Sequence, residues 1–212
     1  MSWQQEYLRR YYYSQPNWQD GTLEFWELMR SGISAGSEVL ELGCGPDNPT
    51  SKFLGETFPA IDGLDIDEDG ARRNPHIRNV YLYDGITWPF PDESYSAIVS
   101  DYVLEHVERP RDLVREIKRV LRPGGVFIFR TPCLWHYVSM ASRLTPHSVH
   151  EKLANWLRNL PDDAEDPYPT FYRMNSQRAI RKLFDREGFH RRKLYSMEKE
   201  PCYGLSLKPL FL

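Results

Sequence analysis

Five short runs rich in apolar and β-branched residues recur along the first 131 positions: EVLEL (38–42), IDGLDI (61–66), NVYLY (79–83), SAIVSD (96–101) and GVFIFRT (125–131). Stretches of helical character separate them, and this alternation is the mark of parallel strands joined by crossover helices. The central runs are nearly continuously apolar, as strands covered on both faces must be. Between the fourth and fifth runs, Leu113, Val114, Ile117, Val120 and Leu121 recur at helical spacing with charges opposite them, which predicts an amphipathic helix lying on the sheet. Pro123 cannot continue that helix, and Gly124 and Gly125 permit a sharp turn into the next strand. The pattern predicts the α/β class.

Beyond residue 131 the pattern changes. Residues 132–175 carry Trp135, Tyr137, Trp156, Tyr168, Phe171 and Tyr172 among prolines and histidines, and read as a cap over a ligand site. SQRAIRKLFDREGF (176–189) predicts a helix stopped by Gly188, and FHRRKLYSME (189–198) an edge strand. Residues 1–35 read as an N-terminal helical arm or lid, in which Tyr11, Tyr12 and Tyr13 either close over a ligand or pack on the core.

The length of 212 residues suits one domain, 1–212, with one core. A net charge of −3 gives no global attraction for nucleic acid or anionic membrane, so a small molecule is the expected partner. The cysteines Cys44, Cys133 and Cys202 are too few and too scattered for a disulfide framework or a zinc site. His147 and His150 lack a neighbouring set of ligands, so no metal is expected. There is no N-terminal apolar signal core and no run of roughly 18 apolar residues, so a cytoplasmic protein without a membrane span is the expectation.

The first predicted strand runs into VLELGCGPDNPT (39–50). Glycines after a strand let backbone N–H groups approach a ligand closely. No Gly-Lys-Ser/Thr follows, which excludes a phosphate-cradling loop of that type. Gly43 and Gly45 match the first two glycines of the dinucleotide fingerprint, but Asn48 stands at the third. Glu41, two residues before Gly43, would repel a pyrophosphate and suits a cofactor bearing an ammonium and a sulfonium, as S-adenosylmethionine (SAM) does.

VLELGCG resembles the first motif of the class I SAM-dependent methyltransferases, and PFPDESYSAIVSDYVLEHVERPRDLVREIKRVLRPGG resembles that family's block from fourth to fifth strand. The resemblance covers about residues 36–132 and is closest to bacterial small-molecule enzymes. It implies a Rossmann-like three-layer sandwich and SAM as cofactor. It places the amino-acid end of SAM at Glu41, Gly43, Cys44 and Gly45, and the ribose at Asp65, with Ile66 beside it and Asp67 as the competing carboxylate. The adenine falls to Asp84, Gly85 and Ile86, and Ser100 completes the cofactor contacts. It also implies methyl transfer to a small-molecule acceptor, with His106 as the candidate catalytic residue and His136 and Tyr172 behind it; Arg173 could orient a polar acceptor group. For Cys44 a small buried filler, and for His106 a structural role, stand as the competing readings.

The family usually closes its sheet with a seventh strand. Fourteen residues remain after FHRRKLYSME, and PCYGLSLKPLFL is poor strand material, so the seventh strand is expected to be missing or irregular, with dimer contacts through LFL. That departure keeps a second function open: a module that binds SAM without turnover.

Overall fold

The computed structural model describes residues 3–16, 18–135, 168–189 and 193–197. The chain divides into two compact units, one of Met1–Glu24, His136–Pro169 and Tyr195–Leu212, the other of Phe25–Trp135 and Thr170–Leu194.

Among the described residues the second unit holds a five-stranded parallel sheet in the order β3-β2-β1-β4-β5, with β1 Val39–Leu42, β2 Ile61–Asp65, β3 Asn79–Leu82, β4 Tyr95–Asp101 and β5 Leu121–Arg130. Chain order reverses at β1, whose neighbours are β2 on one side and β4 on the other. In open parallel sheets that reversal leaves a crevice beyond the carboxyl ends of the strands.

Alternate β1 residues serve opposite layers. Leu40 and Leu42 join Ile98, Leu113, Val114, Ile117 and Val120 in one buried cluster, which α5 (Pro110–Val120) and α6 (Gln177–Arg186) cover. Phe184 of α6 stacks 5.7 Å from Phe129 of β5. Glu41 points to the other layer, where its carboxylate meets α3 (Pro49–Thr57). There Trp26 of α2 (Gly21–Gly32) stacks on Phe53, rings 5.1 Å apart. A short α4 (Glu68–Arg72) follows β2.

The amphipathic helix forms as its spacing predicts. The fifth strand begins earlier than the sequence pattern does: the ladder pairs Tyr95 with Leu121, then resumes at Ala97 with Val126. The RPGG turn is thus an excursion inside the ladder, with Gly124 at φ 80°. Of the edge strand predicted over 189–198, the described residues 189 and 193–197 make no strand, and 190–192 and 198 lie outside the described residues. So do His136, His147, His150, most of the predicted cap and the tail with LFL. No helix among the described residues is long and apolar enough to cross a membrane.

In the first unit, α1 (Trp3–Leu8) passes into a π-helical turn, Arg9–Tyr13, so the predicted arm is helical. Tyr12 and Tyr13 both pack against Trp18, centroids 5.5 Å apart, and Tyr11 lies tilted against Tyr7 at 4.6 Å. These ring contacts lie within the segment itself.

Candidate cofactor and acceptor site

After β1 the chain turns through Gly43 (φ 71°) and Gly45 (φ 49°), both in the left-handed region that glycine occupies without cost. The Gly43 N–H donates to Leu64 O at 2.7 Å, tying the turn to β2. A Cβ at Gly43 would stand 2.3 Å from Val103 Cγ2. Gly43→Ala should therefore lower stability by ~1–3 kcal/mol through backbone strain and overpacking. A shifted urea midpoint is the expected result; an unchanged one would mean that Val103 yields freely.

The missing third glycine has a structural replacement. Asn48 is the N-cap of α3: its Oδ1 accepts from Thr50 N (3.0 Å) and Ser51 N (2.9 Å), with Pro49 at the first helical position. Its Nδ2 donates to Cys44 O at 2.8 Å, fastening the loop to the helix start. Asn74 adds a second donor to Cys44 O at 3.0 Å. Asparagine at the cap supplies the close loop-to-helix join that glycine supplies elsewhere. Cys44 itself is buried, and burial pushes its thiol up to about 12, so it fills space and is not a nucleophile at neutral pH.

Glu41 is 2% exposed and lies beneath this loop. Burial pushes its carboxyl up to about 8, against the lowering effect of Ser51 Oγ, which donates to Oε2 at 2.7 Å. Asp101 and Asp65 raise it further.

Asp65 ends β2 as a fixed carboxylate. Oδ2 accepts from Gly45 N (2.8 Å), and Oδ1 from Ile66 N (2.7 Å) and Asp67 N (3.0 Å). Asp67 turns toward its own helix, its Oδ2 2.3 Å from where a Cβ on Gly70 would stand. Past β3, Asp84 Oδ1 accepts from Ile86 N (2.9 Å) and Thr87 N (2.7 Å), and these bonds hold its carboxyl below the usual range. Gly85, at φ 83°, makes this turn possible. Ile66 and Ile86 are 55% and 39% exposed. They stand just past the ends of β2 and β3, which run side by side. Two aliphatic side chains left to solvent beside two anchored carboxylates are what a flat, partly apolar ring needs. Ser100, near the end of β4, is fully buried, and its Oγ has no hydrogen-bond partner among the described residues.

Two clusters at the tips of β4 and β5 are absent from the sequence reading. In the first, Arg130 and Asp101 form a mostly buried two-point ion pair, Nε to Oδ1 at 2.8 Å and Nη2 to Oδ2 at 2.7 Å. Thr50 Oγ1 donates to Asp101 Oδ2 at 2.7 Å, and the guanidinium lies 4.9 Å from the Phe25 ring and 4.7 Å from the Tyr102 ring. Tyr102 holds φ at 56°, which is uncommon for a bulky residue.

In the second, Glu105 is 5% exposed. Burial pushes it up to about 7, and Thr131 Oγ1 donates to Oε2 at 3.1 Å. Asn175 Nδ2 donates in turn to Thr131 Oγ1 at 2.7 Å. His106 follows on the same single turn of 3₁₀ helix, Leu104–His106, with Nε2 4.0 Å from Glu105 Oε1. Tyr172 reaches this cluster through its backbone, its N–H donating to Glu105 O at 3.1 Å.

A methyltransferase domain family matches residues 8–193. A probable SAM-dependent methyltransferase of Mycolicibacterium smegmatis is 36% identical over 104 residues, covering 46% of this chain and 39% of its own. A fatty-acid O-methyltransferase of the same species is 37% identical over 101 residues, covering 44% and 36%. The chain thus spans under half the length of these relatives. The solved structure of a putative methyltransferase from Bacillus halodurans shares the fold, with a TM-score of 0.56 at 16% identity, covering 82% of this chain and 71% of that one. With the parallel sheet, the glycine loop after β1 and the acidic residues that follow β2 and β3, these matches establish that the chain belongs to the class I SAM-dependent methyltransferase family.

Proposed function

We propose that this chain transfers the methyl group of SAM to a small-molecule acceptor. The observation that carries the reading is the row of groups at the carboxyl ends of β1, β2 and β3. A left-handed glycine turn, the anchored carboxylates Asp65 and Asp84, and the exposed Ile66 and Ile86 stand there in sequence. On this reading Asp65 holds the ribose, Asp84 and the two isoleucines hold the adenine, and the loop from Gly43 to Gly45 receives the amino-acid end. Glu41, Asp65 and Asp101 lie close enough to interact, and among the described residues Arg130 is the guanidinium paired with them, so the floor of the site favours a cationic ligand.

SAM supplies an already activated methyl on a sulfonium. The protein's task is then to align acceptor with methyl and keep out water, and alignment alone contributes ~7–11 kcal/mol. A positioned base adds roughly 10²–10⁴-fold. His106, just past β4 and partly exposed, is the residue we assign to that role. The exposed aromatics Trp135 and Phe171 near the ends of the segments that flank this region favour an acceptor with apolar character, as the fatty-acid O-methyltransferase relative would handle.

Calorimetry with S-adenosylhomocysteine (SAH) should show one site. Asp84→Asn leaves a single carbonyl oxygen, which the turn amides of Ile86 and Thr87 occupy, so SAH affinity should fall roughly tenfold. Methyl-tritiated SAM should then label a component of a metabolite extract. Binding without labelling would favour a SAM-binding module without turnover, and absence of SAH binding would overturn the reading altogether.

A further inference from the structure

Glu105 ties together three segments that are distant in sequence. Its backbone carbonyl accepts from Phe171 N at 2.7 Å and Tyr172 N at 3.1 Å, while its carboxyl accepts from Thr131 just past β5. Asn175 closes the ring: Nδ2 donates to Thr131 Oγ1 and to Pro132 O (3.1 Å), and its own carbonyl accepts from Leu134 N at 2.6 Å. Asn175 is 2% exposed, and its Oδ1 has no donor among the described residues. Such half-satisfied polar groups are costly in a folded interior, so their presence calls for a reason beyond packing.

The backbone around this ring is also held away from its relaxed form. Tyr172 sits at φ 50°, and Tyr102, before the turn that carries Glu105, at φ 56°. Strain of this kind costs of order 1–3 kcal/mol per residue and collects where a precise arrangement is needed. The charged and titratable groups around Glu105 are His106 and Glu108 on its own stretch, Asp101 and its partner Arg130 at the strand tips, and Tyr172 and Arg173 on the returning segment. Arg130 is committed to Asp101, and Arg173 donates to the Glu108 carbonyl.

We propose that Glu105 is a positioning residue for the acceptor side of the site: through Thr131, Asn175 and the 171–172 backbone it sets the place of His106 and Tyr172, and when ionised it supplies negative charge beside the imidazole. The inference rests on the methyl-transfer reading. It predicts that the Glu105 carboxylate makes His106 a better proton acceptor without contributing to cofactor affinity.

Glu105→Gln keeps the side chain's shape and its acceptor for Thr131 while removing the charge. Three measurements on the full chain test it. SAH affinity by calorimetry should stay within about twofold of the parent, which also shows that the variant folds. The His106 titration midpoint, followed by NMR of the imidazole, should fall by about one unit, because a neighbouring anion favours the protonated ring. Label transfer from methyl-tritiated SAM into a metabolite extract should fall roughly 10- to 100-fold. His106→Gln on top of Glu105→Gln should lower it little further, because the two act as a unit. Thr131→Val, which removes the donor to Glu105 together with the acceptor of Asn175 Nδ2, should give a smaller loss in the same direction. Unchanged His106 titration and unchanged transfer with SAH binding intact would overturn the inference. A parent protein that binds SAH but labels nothing, while the NMR shift is still seen, would overturn the methyl-transfer reading and leave the coupling of Glu105 to His106 standing.

Discussion

Arg130→Met should cost about 3–5 kcal/mol of folding stability, because it strands a buried carboxylate and not because it forfeits a favourable pair. Asp101 is enclosed by Thr50 on one side and the guanidinium on the other, and its side chain is 13% exposed. With Arg130 gone, one hydroxyl remains to solvate a full negative charge. A double variant, Arg130→Met with Asp101→Asn, should recover much of the loss, since an amide oxygen accepts from Thr50 without needing a countercharge. Urea unfolding of the two variants and the parent decides the matter. A single variant that loses less than about 1 kcal/mol would show that Asp101 reaches water. The same pair should matter to the site. Tyr102 N–H donates to the backbone carbonyl of residue 130 at 2.9 Å, a bond that methionine keeps, but its ring lies against the guanidinium, so one of the two contacts that hold the strained φ at 102 is lost with the arginine side chain. Loss of Arg130 should therefore relax the turn that carries Glu105 and His106.

The sequence pattern located the strands closely where burial on both faces leaves a continuous apolar signature. The predicted 38–42, 61–66 and 79–83 stand against the observed Val39–Leu42, Ile61–Asp65 and Asn79–Leu82. The carboxylates after β2 and β3 were equally legible, because strand ends carry their chemistry within a few residues of the apolar run. Asn48 was read as the lack of a glycine, although its signal was present: an asparagine followed by proline and two hydroxyl residues is a helix start. The Asp101–Arg130 pair and the Glu105–Thr131–Asn175 ring were not legible at all. Their members lie 29, 26 and 44 positions apart and meet only through the register of β4 and β5 and the return of a later segment. No local pattern encodes such a meeting. Glu105 is the clearest case, since a carboxylate between a leucine and a histidine looks solvated until the turn buries it.

Glu41 carries the other large expected effect, on how stability and cofactor binding vary with pH. Burial pushes its carboxyl up to about 8 from an ordinary value of 4.5, so between those values the native state holds a proton that the unfolded state has released. Stability must then fall as pH rises through this window, by on the order of 4–5 kcal/mol over its full span. Glu105, pushed up to about 7, acts in the same direction over a narrower range. The depressed carboxyls of Asp62, Glu116 and Glu187 work oppositely, but their contributions are lost only on acidification below the ordinary carboxylate range, outside this window. Denaturant unfolding between pH 5 and 9 should therefore show a falling limb, and Glu41→Gln, always neutral and still able to bond Ser51, should flatten most of it and exceed the parent at pH 9. A cationic ligand reverses the balance. On the proposed placement, SAM brings positive charge to a floor formed by Glu41, Asp65 and Asp101, which favours the ionised Glu41, so binding at pH 7 should release a proton. Calorimetry in phosphate and in Tris, whose ionisation enthalpies differ, reads that release directly. Equal heats in the two buffers would remove Glu41 from the electrostatics of binding, while a difference that disappears in Glu41→Gln would make this buried acid the group through which the loop senses the charge of its cofactor.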